Sequence, residues 1–125
     1  MLGVIPQLSA PDGLDIELAA REVAVDLGMA RRLAIADHAN YVAAFSPAGG
    51  PYTSYSVGIQ GGSVEPDFPK SFAPGVTVTG VDQIVFAPAG SALTSGTITV
   101  SFAKGTSTAT VQIIAATGRV RVIGP

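Results

Sequence analysis

The chain has no cysteine and a single histidine, and only 13% of its 125 residues are charged. Without cysteine, disulfide frameworks, thiol catalysis and cysteine-based zinc sites are excluded. The lone His38 has no carboxylate three or four residues away, so it is no metal ligand; as a helix-ending residue it serves the last carbonyls. No stretch approaches the roughly 18 consecutive apolar residues that a membrane helix needs. Met1 to Pro6 are apolar but short, and no basic region precedes them. Read alone, they are either an ordinary flexible N-terminus or the end of a longer hydrophobic helix. The net charge of −2 and pI of about 5.1 give no global attraction for nucleic acid or an anionic membrane. Nucleophile signals are also wanting: no serine stands in a Gly-x-Ser-x-Gly setting, and the paired glycines lack a Walker pattern. Asp12, Asp15 and Glu17 lack the ligand spacing of an EF-hand, and Glu65 and Asp67 read as solvated loop charges. An enzyme is not expected, nor is a cofactor, a metal or a small-molecule substrate.

What is present is a single domain's worth of apolar sequence, 47% of the chain, long enough to bury a core unaided. With so few charges, the surface takes its polarity from Ser, Thr and Gly, which suits contact with other protein. Residues 14–38 carry a helical pattern without proline, and residues 41–123 hold β-branched runs broken by Gly and Pro. One helix followed by many strands predicts an α+β domain, the helix packed on antiparallel sheet. Asp12 is a fair N-cap, Asp15 and Glu17 suit the positive end of the helix dipole, and Arg31, Arg32 and His38 suit the other end. Asn40 is the expected stop.

Ile16, Ala20, Val23, Leu27, Ala30 and Ala34 recur at spacings of 4, 3, 4, 3 and 4. At about 100° per residue this is one narrow stripe, which should face the sheet. Leu14, Leu18, Val25 and Met29 form a second apolar set on the opposite face, among Arg21 and Arg32. They are either scattered exposed residues, which are ordinary, or a face that meets other subunits. If that face is buried by a partner, both arginines need acidic neighbours.

Seven strands are expected, at 41–46, 52–59, 75–79, 83–87, 96–102, 107–114 and 119–123, in two small sheets. Ile98, Val100 and Phe102 alternate with Thr97, Thr99 and Ser101; Arg119, Arg121 and Ile123 oppose Val120 and Val122. Residues 60–74, with three prolines and no period, read as a surface loop. Gly118-Arg119-Val120-Arg121 puts two guanidinium groups on one strand face. They are either a solvated face or a clamp for phosphates.

Three stretches together are similar to the GspH/FimT family of minor pseudopilins and pilins. The helix Leu18 to Leu27, continued by Met29 to Ala36, resembles the family's Ala- and Arg-rich helix. Ile84 to Ser91, followed by Gly96 to Val100, resembles its F-x-P-x-G turn and next strand. Thr117 to Val122 resembles its C-terminal strand. Family members begin with a basic leader, a Glu-containing processing site and a hydrophobic helix, none of which is in this sequence. The resemblance therefore implies that residues 1–13 are the stub of that helix and a linker, and that residues 14–125 are a pilin-like globular domain (helix 14–38, β region 41–123). It implies a subunit anchored in the inner membrane, with its globular domain in the periplasm, assembled with other pilins or pseudopilins through Leu14, Leu18, Val25 and Met29. The leading expectation is a pseudopilus of type II secretion, exporting folded proteins. The alternative is a FimT-like pilus subunit that binds DNA, weakly, through Arg119 and Arg121. A lone secreted β domain that binds carbohydrate or protein would need only one apolar helix face.

Overall fold

The computed structural model describes residues 11–93 and 96–124; the N-terminal stub assigned to residues 1–13 lies almost wholly outside them. The first element, α1, runs Pro11–Asp37. Proline fits the first turn of a helix, where its missing N–H has no partner in any case. The helix therefore starts three residues before the expected position, and Asp12 lies within the first turn instead of capping it. At the other end His38, not Asn40, breaks the helix: its φ of 54° is left-handed, and the Ala39 amide turns back to the Ala34 carbonyl at 3.3 Å. Asn40 instead ties to Gln60, through its side-chain amide at 3.1 Å and its carbonyl at 2.9 Å.

Eight strands follow: β1 Tyr41–Ser46, β2 Ser54–Ile59, β3 Lys70–Ser71, β4 Thr77–Gly80, β5 Gln83–Phe86, β6 Thr97–Lys104, β7 Ser107–Ile114 and β8 Arg119–Ile123. They form two antiparallel four-stranded sheets, ordered β3-β2-β1-β5 and β4-β6-β7-β8. The unexpected strand is β3, which pairs Ser71 with Ser54 and Lys70 with Tyr55 inside the segment read as loop. Two residues are too few to show a period. The segment is anchored by Phe68 and Phe72, whose ring centroids lie 5.8 and 5.3 Å from that of Tyr55.

All six residues of the first helical stripe are buried, and α1 packs on both sheets. Ala20, Ala30 and Ala34 let the backbone come close, while Ile16, Val23 and Leu27 fill the space between. Facing them are Val100, Phe102, Val111 and Ile113 from one sheet and Val57, Ile84 and Phe86 from the other, in one continuous core. On β6 the alternation is as expected: Ile98, Val100 and Phe102 point inward and Thr97, Thr99 and Ser101 outward.

Candidate assembly surface

The face of α1 turned away from the core is apolar at three exposed positions: Leu14 at 54%, Leu18 at 57% and Val25 at 65% of full exposure. Met29 differs. It sits roughly 40° round from Val25 at about 100° per residue, far enough to rest half-buried against the core edge beside Leu33. The two arginines on this face also differ. Arg21 already has an acidic neighbour, donating to Glu17 one turn earlier at 2.8 Å. Arg32 is exposed and has no carboxylate partner among the described residues.

Beside this face, the N-terminal half of α1 and residues 71–73 enclose a groove of about 520 Å³. Leu18, Ala19, Phe72 and Ala73 make it apolar, and Asp15 and Glu22 stand at its edge. Asp15 accepts from the Lys104 ammonium at 2.6 Å. Glu22 shares an ammonium: Lys70 lies 3.6 Å from it but 2.9 Å from Asp26. Asp26 is the one buried charged residue among those described, and it also accepts from the Tyr55 hydroxyl at 2.5 Å. The hydrogen bond to Asp26 holds the Lys70 pKa above its ordinary value, against the opposing effect of burial. Burial, and then the same carboxylate, push the Tyr55 hydroxyl well up. Lys70 also lies over the Phe68 ring, 5.0 Å from its centroid. This network pins β3 and its loop to the helix and so builds the groove's second wall. Sequence reading missed it. Its one local trace is a carboxylate lodged between Val25 and Leu27.

At the far end of α1, Arg31 reaches across to two turns. Its Nε donates to the Gly90 carbonyl at 2.9 Å and to the Thr117 carbonyl at 3.1 Å. A Cβ on Gly118 would sit 1.8 Å from the Gly90 oxygen, so the two turns touch through glycine alone. The three stretches singled out in the sequence thus meet at one point. Beyond it, β8 is an edge strand. Arg119 and Arg121 are exposed on its outer face, opposite Ile114 and Gln112 of β7, with no carboxylate partner among the described residues. Those two β7 residues separate them from the hydroxyls of Thr97 and Thr99 on β6, and no aromatic ring stands beside them in the register. Among the described residues no group of three or more potential ligands is placed to hold a metal, and no helix is long and apolar enough to cross a membrane.

A long helix laid on two small antiparallel sheets, with an apolar outer face, is the architecture of a pilin-like subunit. The chain belongs to the family described as Type II transport protein GspH, whose model matches residues 19–118. No curated protein matches it in sequence. Among solved structures it is similar to the type IV minor pilin FimU of Pseudomonas aeruginosa, with a TM-score of 0.73, 19% identity and 88% of each chain covered. A second crystal form of that protein gives a TM-score of 0.70 at 19% identity, over 85% of this chain and 90% of the other. The minor pseudopilin EpsH from the Type 2 Secretion System of Vibrio cholerae superposes with a TM-score of 0.66 at 13% identity, over 89% of this chain and 98% of EpsH. The chain is therefore a minor pseudopilin or pilin, a structural subunit and not an enzyme.

Proposed function

We propose that the chain is a minor pseudopilin of a type II secretion pseudopilus, helping to export folded proteins, and that Leu14, Leu18, Val25 and Met29 form its contact with neighbouring subunits. In this reading a hydrophobic helix anchors it in the inner membrane and the domain stands in the periplasm. The observation that carries the reading is the second apolar face: Leu14, Leu18 and Val25 are all more than half exposed, and the fold's own sheets lie on the other side of α1. Burying each fully against a neighbour would contribute about 1.5–3 kcal/mol. The test is the double substitution Leu18→Ser, Val25→Ser. It should leave the melting temperature of the domain nearly unchanged and impair secretion or piliation in cells. If it unfolds the domain, the face belongs to the core and the reading is lost.

A second reading, a pilus subunit that binds DNA, draws on Arg119 and Arg121, two exposed guanidiniums on a sheet face without carboxylates. Such binding would be weak, salt-sensitive and indifferent to sequence, since it would rest on phosphates. Wild type should shift DNA in a gel at low salt, and Arg119→Gln, Arg121→Gln should abolish the shift. No shift with wild type favours secretion.

A further inference from the structure

The two sheets end in four edge strands, and these are not equally closed. On β5 the Val85 carbonyl already accepts from the Leu93 amide at 2.9 Å. On β4 the Val78 carbonyl accepts from the Tyr52 amide at 2.8 Å, and the Gly80 carbonyl from the Tyr52 hydroxyl at 3.0 Å. β3 is only two residues long. That leaves β8, which runs for five. The Ile114 carbonyl accepts from the Gly118 amide at 2.7 Å, whereas the Ala115 amide donates the other way, to Gly96, at 3.1 Å. Main-chain groups alternate sides along a strand, so those of Ile114, Gln112 and Thr110 turn toward β8. Their partners Arg119, Arg121 and Ile123 make the bonded pairs. Val120 and Val122 therefore turn their N–H and C=O groups outward, and among the described residues no hydrogen bond from another element reaches them.

An open edge of this length is a template for another strand. Its two faces decide which strand fits. Val120 and Val122 are half-buried at the rim of the core, so residues laid beside them would extend an apolar face. On the other face Arg119 and Arg121 are exposed, two positions apart, with no carboxylate partner among the described residues. Residues directly opposite them would lie about 4.5–5.5 Å away between Cβ atoms, where opposite charges attract and like charges repel. The same arginines exclude a second copy of β8: in the antiparallel register that uses both valines, Arg121 would face Arg121. We infer that β8 accepts an extended segment of another protein as a fifth, antiparallel strand of its sheet, a segment in which acidic residues alternate with apolar ones. Its main chain bonds to Val120 and Val122, and its carboxylates stand opposite Arg119 and Arg121. The inference assigns these arginines to a protein partner and does not involve the outer face of α1.

The probe is a capped peptide of about eight residues alternating glutamate and valine, the pattern of an added strand, titrated into the whole chain. The amides of Val120 and Val122 should exchange freely in the free chain and become protected when the peptide binds. A peptide with lysine for glutamate should not bind. Arg119→Gln with Arg121→Gln should weaken binding of the glutamate peptide by about 2- to 30-fold, two cross-strand charge pairs being lost. Arg119→Glu with Arg121→Glu should transfer the preference to the lysine peptide. Val122→Pro removes an outward N–H while leaving the bonds to β7 in place. It should abolish peptide binding and leave any gel shift of DNA intact. Methylating the valine nitrogens of the peptide makes the same test on the wild-type chain, so it decides even where Val122→Pro disturbs folding. The inference is overturned if the peptide fails to bind at millimolar concentration, binds equally well when methylated, or leaves the two amides unprotected. DNA binding without peptide binding overturns it too, and gives the arginines to phosphates. None of these outcomes touches the assembly surface, which the Leu18→Ser, Val25→Ser chain tests separately.

Discussion

Replacing Gly118 with alanine tests the junction that joins α1 to both turns. Gly118 has a φ of +71°, a left-handed conformation that costs an L-residue about 1–2 kcal/mol. The added Cβ would also lie 1.8 Å from the Gly90 oxygen and 3.0 Å from Cδ and Nε of Arg31. To reach an ordinary contact the carbonyl must retreat by more than an ångström, which breaks its hydrogen bond to Arg31. A bond to a charged donor is worth about 1.5–3 kcal/mol. The two costs together come to about 2.5–5 kcal/mol, a large part of the roughly 5–15 kcal/mol that holds a domain together. For a chain this size the midpoint of a thermal melt should fall by about 10–20 °C. Gly61 is the control: its φ is +77°, but nothing lies within 4 Å of its built Cβ. Gly61→Ala should therefore cost only the backbone share, about 1–2 kcal/mol. Urea melts of the two variants, compared with wild type, separate strain from collision. Equal losses at the two positions would show that the Gly90–Gly118 contact does not constrain this junction.

Three further outcomes follow from the packing and the charges. Leu27→Ala empties the middle of the buried stripe and should cost about 2–5 kcal/mol in a urea melt; a loss below half a kcal/mol would mean that the helix does not pack by this face. Asp26→Asn should cost about 1–3 kcal/mol, because the amide keeps one acceptor oxygen but not the charge that holds Lys70 and the Tyr55 hydroxyl, and adding Lys70→Met should recover part of that loss; strictly additive losses would refute the coupling. Stability should fall as pH rises from about 10 to 12. The Tyr41 hydroxyl is pushed up to about 12 by its hydrogen bond to Asp37, and Tyr52 to about 12 by burial and then Asp82, so the folded chain keeps protons that the unfolded chain releases. The Lys70 contribution, complete below its unfolded pKa, is lost in the same direction. Denaturant melts at pH 8 and pH 11 check this, and Phe at 41 and 52 should flatten the slope. A slope unchanged by those two substitutions would locate the effect elsewhere.

The helix and the C-terminal strands were legible because each shows one repeated period to one buried surface. Six helical positions at spacings of 4, 3, 4, 3 and 4 all proved buried, and β6, β7 and β8 alternate along most of their length. The division into two sheets was legible from the number and shortness of the runs. The first turn of α1 was not, because an aspartate is favourable both as a cap and just inside a helix, where the amides still point outward. Nor was β3: it exists because Tyr55, Phe68 and Phe72 stack across elements, and that stacking leaves no trace in a two-residue run.

The site divides in the same way. The outer apolar face could be read from periodicity because it involves one helix alone, and only the tilt of Met29 toward Leu33 needed the tertiary structure. The groove could not, because its second wall hangs on a contact between Asp26 and Lys70, 44 positions apart. That contact bears on recognition. The chain has only seven lysines and arginines, and most are engaged within it. Arg21 answers Glu17, Lys70 answers Asp26, Lys104 answers Asp15, and Arg31 answers two carbonyls. Among the described residues, the cations left to meet a partner are Arg32 on the helix and Arg119 and Arg121 on β8. They lie on different surfaces, one on the helix beside an apolar groove, the other on a sheet face among Ile114, Gln112 and Ile123, so they cannot serve one ligand in one way. Reversing Arg32 should then disturb the packing of subunits and leave any polyanion binding intact, while neutralising Arg119 and Arg121 should do the opposite. A sparsely charged surface makes that separation possible, because Arg32 stands on the helix while Arg119 and Arg121 stand together on one face of β8.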